Sequence, residues 1–293
     1  MKNLVIVMVG DGSLHPEYAQ QRDFELWIIY YGDDPQKEAQ YRSDADRFWK
    51  KKGLKIELIR RILLEEVVFR ERFNFREYGF VLLPDDDVRF QEGAASVHSL
   101  FEAAGTLRAD CFQPAIQNEH FSARWEPTRL IEGIECHGVN IVEIMACGFS
   151  SSFFCAAFLP AIHAMQFMRS GWGLEVIAMK IGEAAYGRRL RSYVIDAVPI
   201  IHTRPVGSGA SYIHQLGLAE YRLVPQVDVN RQVILSRHEK IKDAVPNDEA
   251  VEPSAEVPIA VCNTFGSVLA AAILPLRRYA AGKWKAFRRG RAN

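Results

Sequence analysis

Paired cysteines are missing from this chain. Its five cysteines, Cys111, Cys136, Cys147, Cys155 and Cys262, are odd in number and show no CxxC spacing. That excludes a disulfide framework and a zinc knuckle, and a reducing compartment is expected. No GxGxxG follows the first strand-like run, so a dinucleotide cofactor is not expected. No internal repeat or low-complexity array points to a purely structural protein. The opening Met1-Lys2-Asn3-Leu4 enters an apolar run with no secretory leader pattern, so a cytoplasmic location is expected. Net charge is absent too, with 36 basic against 36 acidic residues. The balance is uneven, however: residues 277–293 hold seven cations and no acid, leaving 29 basic and 36 acidic residues elsewhere. What remains is an ordinary globular composition, 48% hydrophobic and 25% charged over 293 residues, enough to bury a sizeable core.

The landmark of the chain is Phe80-Val81-Leu82-Leu83-Pro84-Asp85-Asp86-Asp87. A strand too hydrophobic to alternate belongs in a sheet covered on both faces, so its three carboxylates emerge where the sheet opens to solvent. Adjacent carboxylates repel unless something positive sits between them. Mn2+ or Mg2+ would serve, keeping positions open for substrate phosphates; an acidic turn is the alternative. Before this landmark, Leu4 to Val9 reads as a buried strand ending at Gly10-Asp11-Gly12-Ser13-Leu14-His15-Pro16, where α/β folds place ligand loops. There His15 reads as a turn or capping residue. Phe24 to Tyr31 is a second strand, ending at Gly32-Asp33, and residues 36–52 read as charged and helical. Ile56, Leu58, Ile59, Ile62 and Leu63 have the spacing of a helix packed on a sheet. The first 90 residues therefore predict β-α-β-α-β, with parallel strands and right-handed crossovers.

Beyond the acids, residues 91–105 predict a helix, residues 110–115 a short strand and turn, and residues 118–138 a long polar loop lining a site. Val139 to Ala146 predicts a strand carrying Glu143, a costly position unless it faces a polar cavity. An apolar helix over 153–168 delivers the chain to Ser170-Gly171-Trp172-Gly173-Leu174-Glu175. There the glycines permit close approach, the indole offers a stacking plane for a sugar or base, and Glu175 opens the next helix. A carboxylate in that position is stabilised as the anion, whether it acts or merely caps. Tyr193 to Ile201 predicts a last strand, ending at His202-Thr203-Arg204. His202 at that exit is a candidate metal ligand alongside the acidic triplet.

Pro84-Asp85-Asp86-Asp87, Gln113-Pro114-Ala115, Val142-Glu143-Ile144-Met145-Ala146, Gly171-Trp172-Gly173-Leu174-Glu175 and Val194-Ile195-Asp196 with His202, in that order, resemble the domain-of-unknown-function family seven hundred and seven. The likeness spans about residues 2–210, and Gly10 to Pro16 with Tyr30-Tyr31-Gly32-Asp33 resembles its bacterial branch. The resemblance implies a GT-A-like, Rossmann-related α/β fold: a mixed, mainly parallel sheet flanked by helices. It also implies a nucleotide-sugar glycosyltransferase. On that reading Asp85, Asp87 and His202 hold Mn2+ or Mg2+. Gly10, Asp11, Asp33, Lys55, Asp86 and Arg204 bind the donor. Glu175 is the general base, and Glu143, Trp172 and Gly173 face the acceptor, with Glu143 alternatively supporting a neighbouring carboxylate. A UDP-sugar donor, a glycan or glycolipid acceptor and inversion are implied. A metal-dependent phosphohydrolase and a non-catalytic nucleotide-sugar-binding protein stay open as alternatives.

Three segments follow from composition: a catalytic domain over 1–243, an acidic, Pro-containing linker over 244–256, and an apolar and basic tail over 257–293 with helical periodicity. Val257 to Leu274 is interrupted by Pro258, Asn263, Thr264, Gly266 and Ser267, so a helix lying peripherally on an anionic membrane surface is expected rather than a spanning one, with docking on the domain as the alternative. No fold surrounds the basic run that would bind nucleic acid.

Overall fold

The computed structural model describes residues 1–117, 126–166, 168–204, 217, 219–220 and 234–245. Along β1 (Lys2–Val9) and β2 (Glu25–Tyr30), alternate apolar side chains enter two different cores. Leu4, Ile6, Met8, Trp27 and Ile29 join one; Val5, Val7, Val9, Leu26, Ile28 and Tyr30 join the other. A period of two sends successive residues to opposite faces, and because both faces are covered the strands carry no polar alternation.

The mixed sheet flanked by helices that the sequence leads one to expect is observed, while the helical tail expected after it lies outside the described residues. Besides β1 and β2 the sheet contains β3 (Arg47–Lys50), β4 (Tyr78–Pro84), β5 (Val88–Phe90), β6 (Cys111–Ile116), β7 (Cys136–Gly138), β8 (Ala146–Ser150), β9 (Ser192–His202) and β10 (Ser236–His238). Their order is β10-β7-β9-β6-β8-β4-β1-β2-β3, with β5 paired to β9. Strands β3, β2, β1 and β4 are mutually parallel, as are β6 and β9. Antiparallel β8 lies between β4 and β6, so the carboxyl ends of β1, β2, β4, β6 and β9 share one edge. One face carries α1 (Pro16–Ala19), α2 (Pro35–Asp44) and α4 (Ala94–Thr106). The other carries α3 (Lys55–Ile59), which continues as a π-helix over Arg60–Arg70, then α5 (Ser151–Phe153), α6 (Leu159–Ala164) and α7 (Leu174–Tyr186).

Four expectations are corrected. The long loop expected over 118–138 ends in the buried strand β7, and residues 118–125 of it lie outside the described residues. The helical reading of 36–52 holds only to Asp44. Asp34 starts α2 by accepting from the amides of Gln36 and Lys37, and Arg47–Lys50 is then an edge strand. Its charges hid it: Phe48 and Trp49 pack on opposite faces of the sheet, while Arg47 lies 4.7 Å over the Trp27 ring and 4.9 Å over that of Trp49. Val139 to Ala146 is not a strand, since β7 ends at Gly138 and β8 begins at Ala146. Val139, Ile141, Val142 and Met145 between them are buried, but the backbone there is satisfied piecemeal, Val139 N by Ser192 O and Met145 O by Asp85 N. The apolar helix over 153–168 is broken into α5, a π-helical turn over Phe154–Phe158 and α6. After α6, Arg60 donates to the carbonyls of Met165 and Met168 at 2.9 and 2.8 Å.

A 3-10 turn over Ile241–Ala244 ends in the buried Ala244. Most of the expected linker and the entire basic tail lie outside the described residues. Among the described residues no helix is long and apolar enough to cross a membrane.

Candidate functional site

The edge where the parallel strands end gathers the acidic triplet, and each acid meets a different partner. Lys55, first residue of α3, donates to Asp85 Oδ1 at 2.6 Å and to the carbonyls of Leu83 and Ile144 at 3.0 and 2.8 Å. Burial still pushes the Asp85 carboxyl upward, opposed by Lys55. Asp86 turns back into the fold, where its Oδ2 accepts from the Gly10 amide and the Tyr31 hydroxyl, both at 2.8 Å. Asp87 Oδ1 lies 3.3 Å from His202 Nε2. That pair is set by the ladder, because β5 begins at Val88, opposite His202 on β9. Among the described residues no group of three or more His, Cys, Asp or Glu gathers as a metal site. Asp87 with His202 still fits a hard divalent ion whose remaining positions go to phosphate oxygens: one carboxylate, one imidazole, and Asp85's charge already met by an ammonium.

A second pair of carboxyls lies behind the triplet. Glu143 sits in the loop between β7 and β8, its amide donating to Gln113 Oε1 at 2.5 Å and its Oε2 lying 3.4 Å from Thr128 Oγ1. Burial pushes it up to about 7; His202 and Lys55 oppose this, while Asp85 adds to it. Glu175, in the first turn of α7, is only 5% exposed. Burial pushes it up to about 8, and the charge of Glu143 adds to the effect. Its Oε1 lies 3.3 Å from the Gly173 amide, whereas Oε2 is buried without a hydrogen-bond partner among the described residues. Desolvation outweighs the stabilisation expected from the helix N-terminus, so at neutral pH the resting group is predominantly the acid.

The Gly-Trp-Gly loop is shaped by close contacts. Gly171 has φ 89°, and a Cβ there would lie 2.6 Å from Ile56 Cγ1, so this position demands glycine on two counts. A Cβ on Gly217 would lie 2.6 Å from the Trp172 ring, which places chain close against the indole expected to stack on a ligand. Glu220, 4% exposed, accepts from the amides of Arg169 and Ser170 at 3.0 and 2.9 Å and from the Ser170 hydroxyl at 2.6 Å.

The remaining predicted residues are at the ends of β1, β2 and β9. Asp11 receives the Tyr30 hydroxyl and the amides of Asp33 and Asp34, the latter two at 3.1 and 3.2 Å, and the Tyr30 contact chiefly lowers its pKa. Asp33 is exposed and pairs with Lys52 at 2.6 Å. Exposed Arg204 donates to the Gly12 carbonyl at 3.0 Å. His15 is fully buried, its Nδ1 2.9 Å from Ser13 Oγ, and burial pushes its pKa down to about 3. The reading as a turn residue agrees with that environment.

Sequence reasoning missed a buried ion pair. His137 Nδ1 lies 2.6 Å from Asp196 Oδ2 and its Nε2 lies 2.6 Å from the Pro127 carbonyl, both side chains being fully buried. The other Asp196 oxygen accepts from the Ile131 amide at 2.8 Å. The pair fastens residues 127–131, and with them Thr128, over Glu143. An acid inside the apolar run of β9 was the available signal.

No family model matches the chain, and neither does any curated protein. Among solved structures, the first 349 residues of S. aureus TarS align over 99% of this chain and 92% of that one, at 13% identity and a TM-score of 0.45. The same protein in complex with UDP-GlcNAc aligns over the same shares at 12% identity and a TM-score of 0.41. A putative nucleotide-diphospho-sugar transferase from Desulfovibrio desulfuricans aligns over 76% of this chain and 98% of its own, at 12% identity and a TM-score of 0.38. At such distances the chemistry of this chain must be read from its own side chains.

Proposed function

We propose that this chain is a GT-A-type glycosyltransferase that moves a sugar from a nucleoside diphosphate sugar, UDP-linked on the family resemblance, to a hydroxyl of a glycan or glycolipid. One observation carries the reading. Glu143 links a buried acid, Glu175, to the carboxylate-and-imidazole pair of Asp87 and His202: its carboxyl feels the charge of His202 and in turn acts on Glu175. Transfer needs both halves, a place for a diphosphate to leave and a group to take the acceptor's proton.

Asp87 and His202 would hold Mn2+ or Mg2+, which when bound offsets the charge on the departing diphosphate. The loops at Gly10 to Gly12 and Asp33, drawn together by Asp11 and Asp86, form the wall for the nucleoside. Glu175 Oε2, in its ionised form, takes the proton of the acceptor hydroxyl as that oxygen bonds to the anomeric carbon and the bond to the phosphate oxygen breaks. A single displacement inverts the configuration. The basic tail is proposed to hold the enzyme at an anionic membrane surface, where a glycolipid acceptor would lie.

The test is a thermal-shift panel of UDP, GDP, ADP and their sugars, with and without Mn2+, followed by transfer assays. One nucleotide is expected to raise the melting temperature with Mn2+ present, by mass action on the native state. Asp87→Ala loses the shift; Glu175→Gln keeps it but lowers transfer about 10²-fold or more. Phosphate-ester hydrolysis without sugar transfer would establish the phosphohydrolase reading instead. Binding without turnover, indifferent to Glu175→Gln, would establish a sensor.

A further inference from the structure

Three consecutive residues at the start of α3 touch both halves of the site. Lys55 reaches Asp85, Ile56 packs into the space that Gly171 leaves, and Glu57 pairs with Arg169 just before the Gly-Trp-Gly loop, at 2.5 Å. Lys55, the first of the three, makes three contacts by itself. Its side chain is 15% exposed, and its three donors have three acceptors: a carboxylate, the Leu83 carbonyl at the end of β4, and the Ile144 carbonyl next to Glu143. An ammonium has three protons to give, so none is left over for a phosphate. Its nearest charge is also fixed by the backbone, because the Asp85 amide donates to Met145 O at 2.7 Å and closes the same corner.

We propose that Lys55 is the permanent counter-ion of Asp85, so that a divalent ion at this site takes only two protein ligands, Asp87 and His202. The proposal rests on the ion site assigned above. Asp85, which would otherwise be free to turn toward the ion, is held on the helix, and Lys55 thereby ties the acidic corner to α3 and the Gly-Trp-Gly loop rather than to the donor. Two protein ligands leave the ion's other positions to phosphate and water, so its affinity depends on the nucleotide.

Free Mn2+ measured by electron paramagnetic resonance, titrated with the full chain and no nucleotide, tests this; circular dichroism confirms that each variant is folded. Asp85→Asn is expected to leave Mn2+ affinity within about twofold of the native protein, and Asp87→Asn to weaken it about tenfold. Lys55→Met frees Asp85 and tightens binding about tenfold, a gain that disappears when Asp85→Asn is added. A loss in Asp85→Asn equal to that in Asp87→Asn overturns the proposal without reference to any Lys55 variant, and so does a folded Lys55→Met protein with native affinity. If the native chain binds no Mn2+ with or without UDP but Lys55→Met does, the ion site of the proposed function falls while the role of Lys55 stands. If neither binds with or without UDP, both fall.

Discussion

Asp85, Asp86 and Asp87 each meet a donor at the end of β4, whereas Glu175, behind them, has one oxygen with no partner among the described residues and holds its proton to about pH 8. Lysine, tyrosine with a backbone amide, and histidine serve the first group in turn. For Glu175 the low-dielectric surroundings make neutrality the cheaper state. On the proposed function the contrast would divide the labour of the site: partnered carboxylates as a fixed electrostatic wall, and a desolvated carboxyl as a strong base once it ionises.

The partnered class breaks hardest where its members are deepest. Removing one side of the buried His137 and Asp196 pair leaves an unmatched group, so His137→Ala and Asp196→Ala are each expected to cost about 3–5 kcal/mol in denaturant unfolding. The double variant should cost less than the sum, since both remove the same contact. Additive losses would show that the two side chains act separately.

The neutral class is probed by pH. Glu175 has an ordinary value of 4.5 and a folded value raised to about 8, so the folded state binds the extra proton between them. Stability from this group is full below pH 4.5 and is lost as pH rises toward 8; Glu143, raised to about 7, acts in the same direction. A tenfold change in proton affinity corresponds to about 1.4 kcal/mol, and pocket relaxation should hold the total for Glu175 to on the order of 3 kcal/mol. Melting temperatures from pH 5 to 8 should fall, less steeply in Glu175→Gln, while transfer rises over the same range because the base must ionise. Equal slopes in the two proteins would remove Glu175 from the neutral class.

Asp86→Ala strands the Tyr31 hydroxyl and the Gly10 amide and should cost about 1–3 kcal/mol. The smallest effect is expected at Asp33→Ala, whose pair with Lys52 lies in solvent. A change of at most about 0.5 kcal/mol marks it as a surface contact, leaving any loss of nucleotide binding to be read separately.

Much of this site was legible residue by residue. The uninterrupted apolar run of β4 announced where the acids would emerge, and His202 was expected beside them because strand exits share an edge. Nothing local to Lys55, expected to meet the donor's phosphate or base, shows that its ammonium reaches Asp85, 30 residues on. Trp172, expected to offer a stacking plane, also has Gly217 close by, a contact 45 positions away along the chain that no local pattern shows. His137 carried no motif, and the short edge strand β3 was hidden by charges that mimic a helix.

By itself the sequence determined that β1, β2 and β4 would be covered on both faces, that they would run parallel, and that their ends would carry Asp11, Asp33 and Asp85 to Asp87. Those follow from hydrophobic pattern and strand period, which are properties of neighbours in the chain. Only the tertiary structure decided which carboxylates would meet donors and which would be buried with an oxygen left without one. An acid's state depends on donors within a few ångströms and on excluded water. Those donors come from residues such as Tyr31, 55 positions from Asp86, which only the finished packing brings within reach.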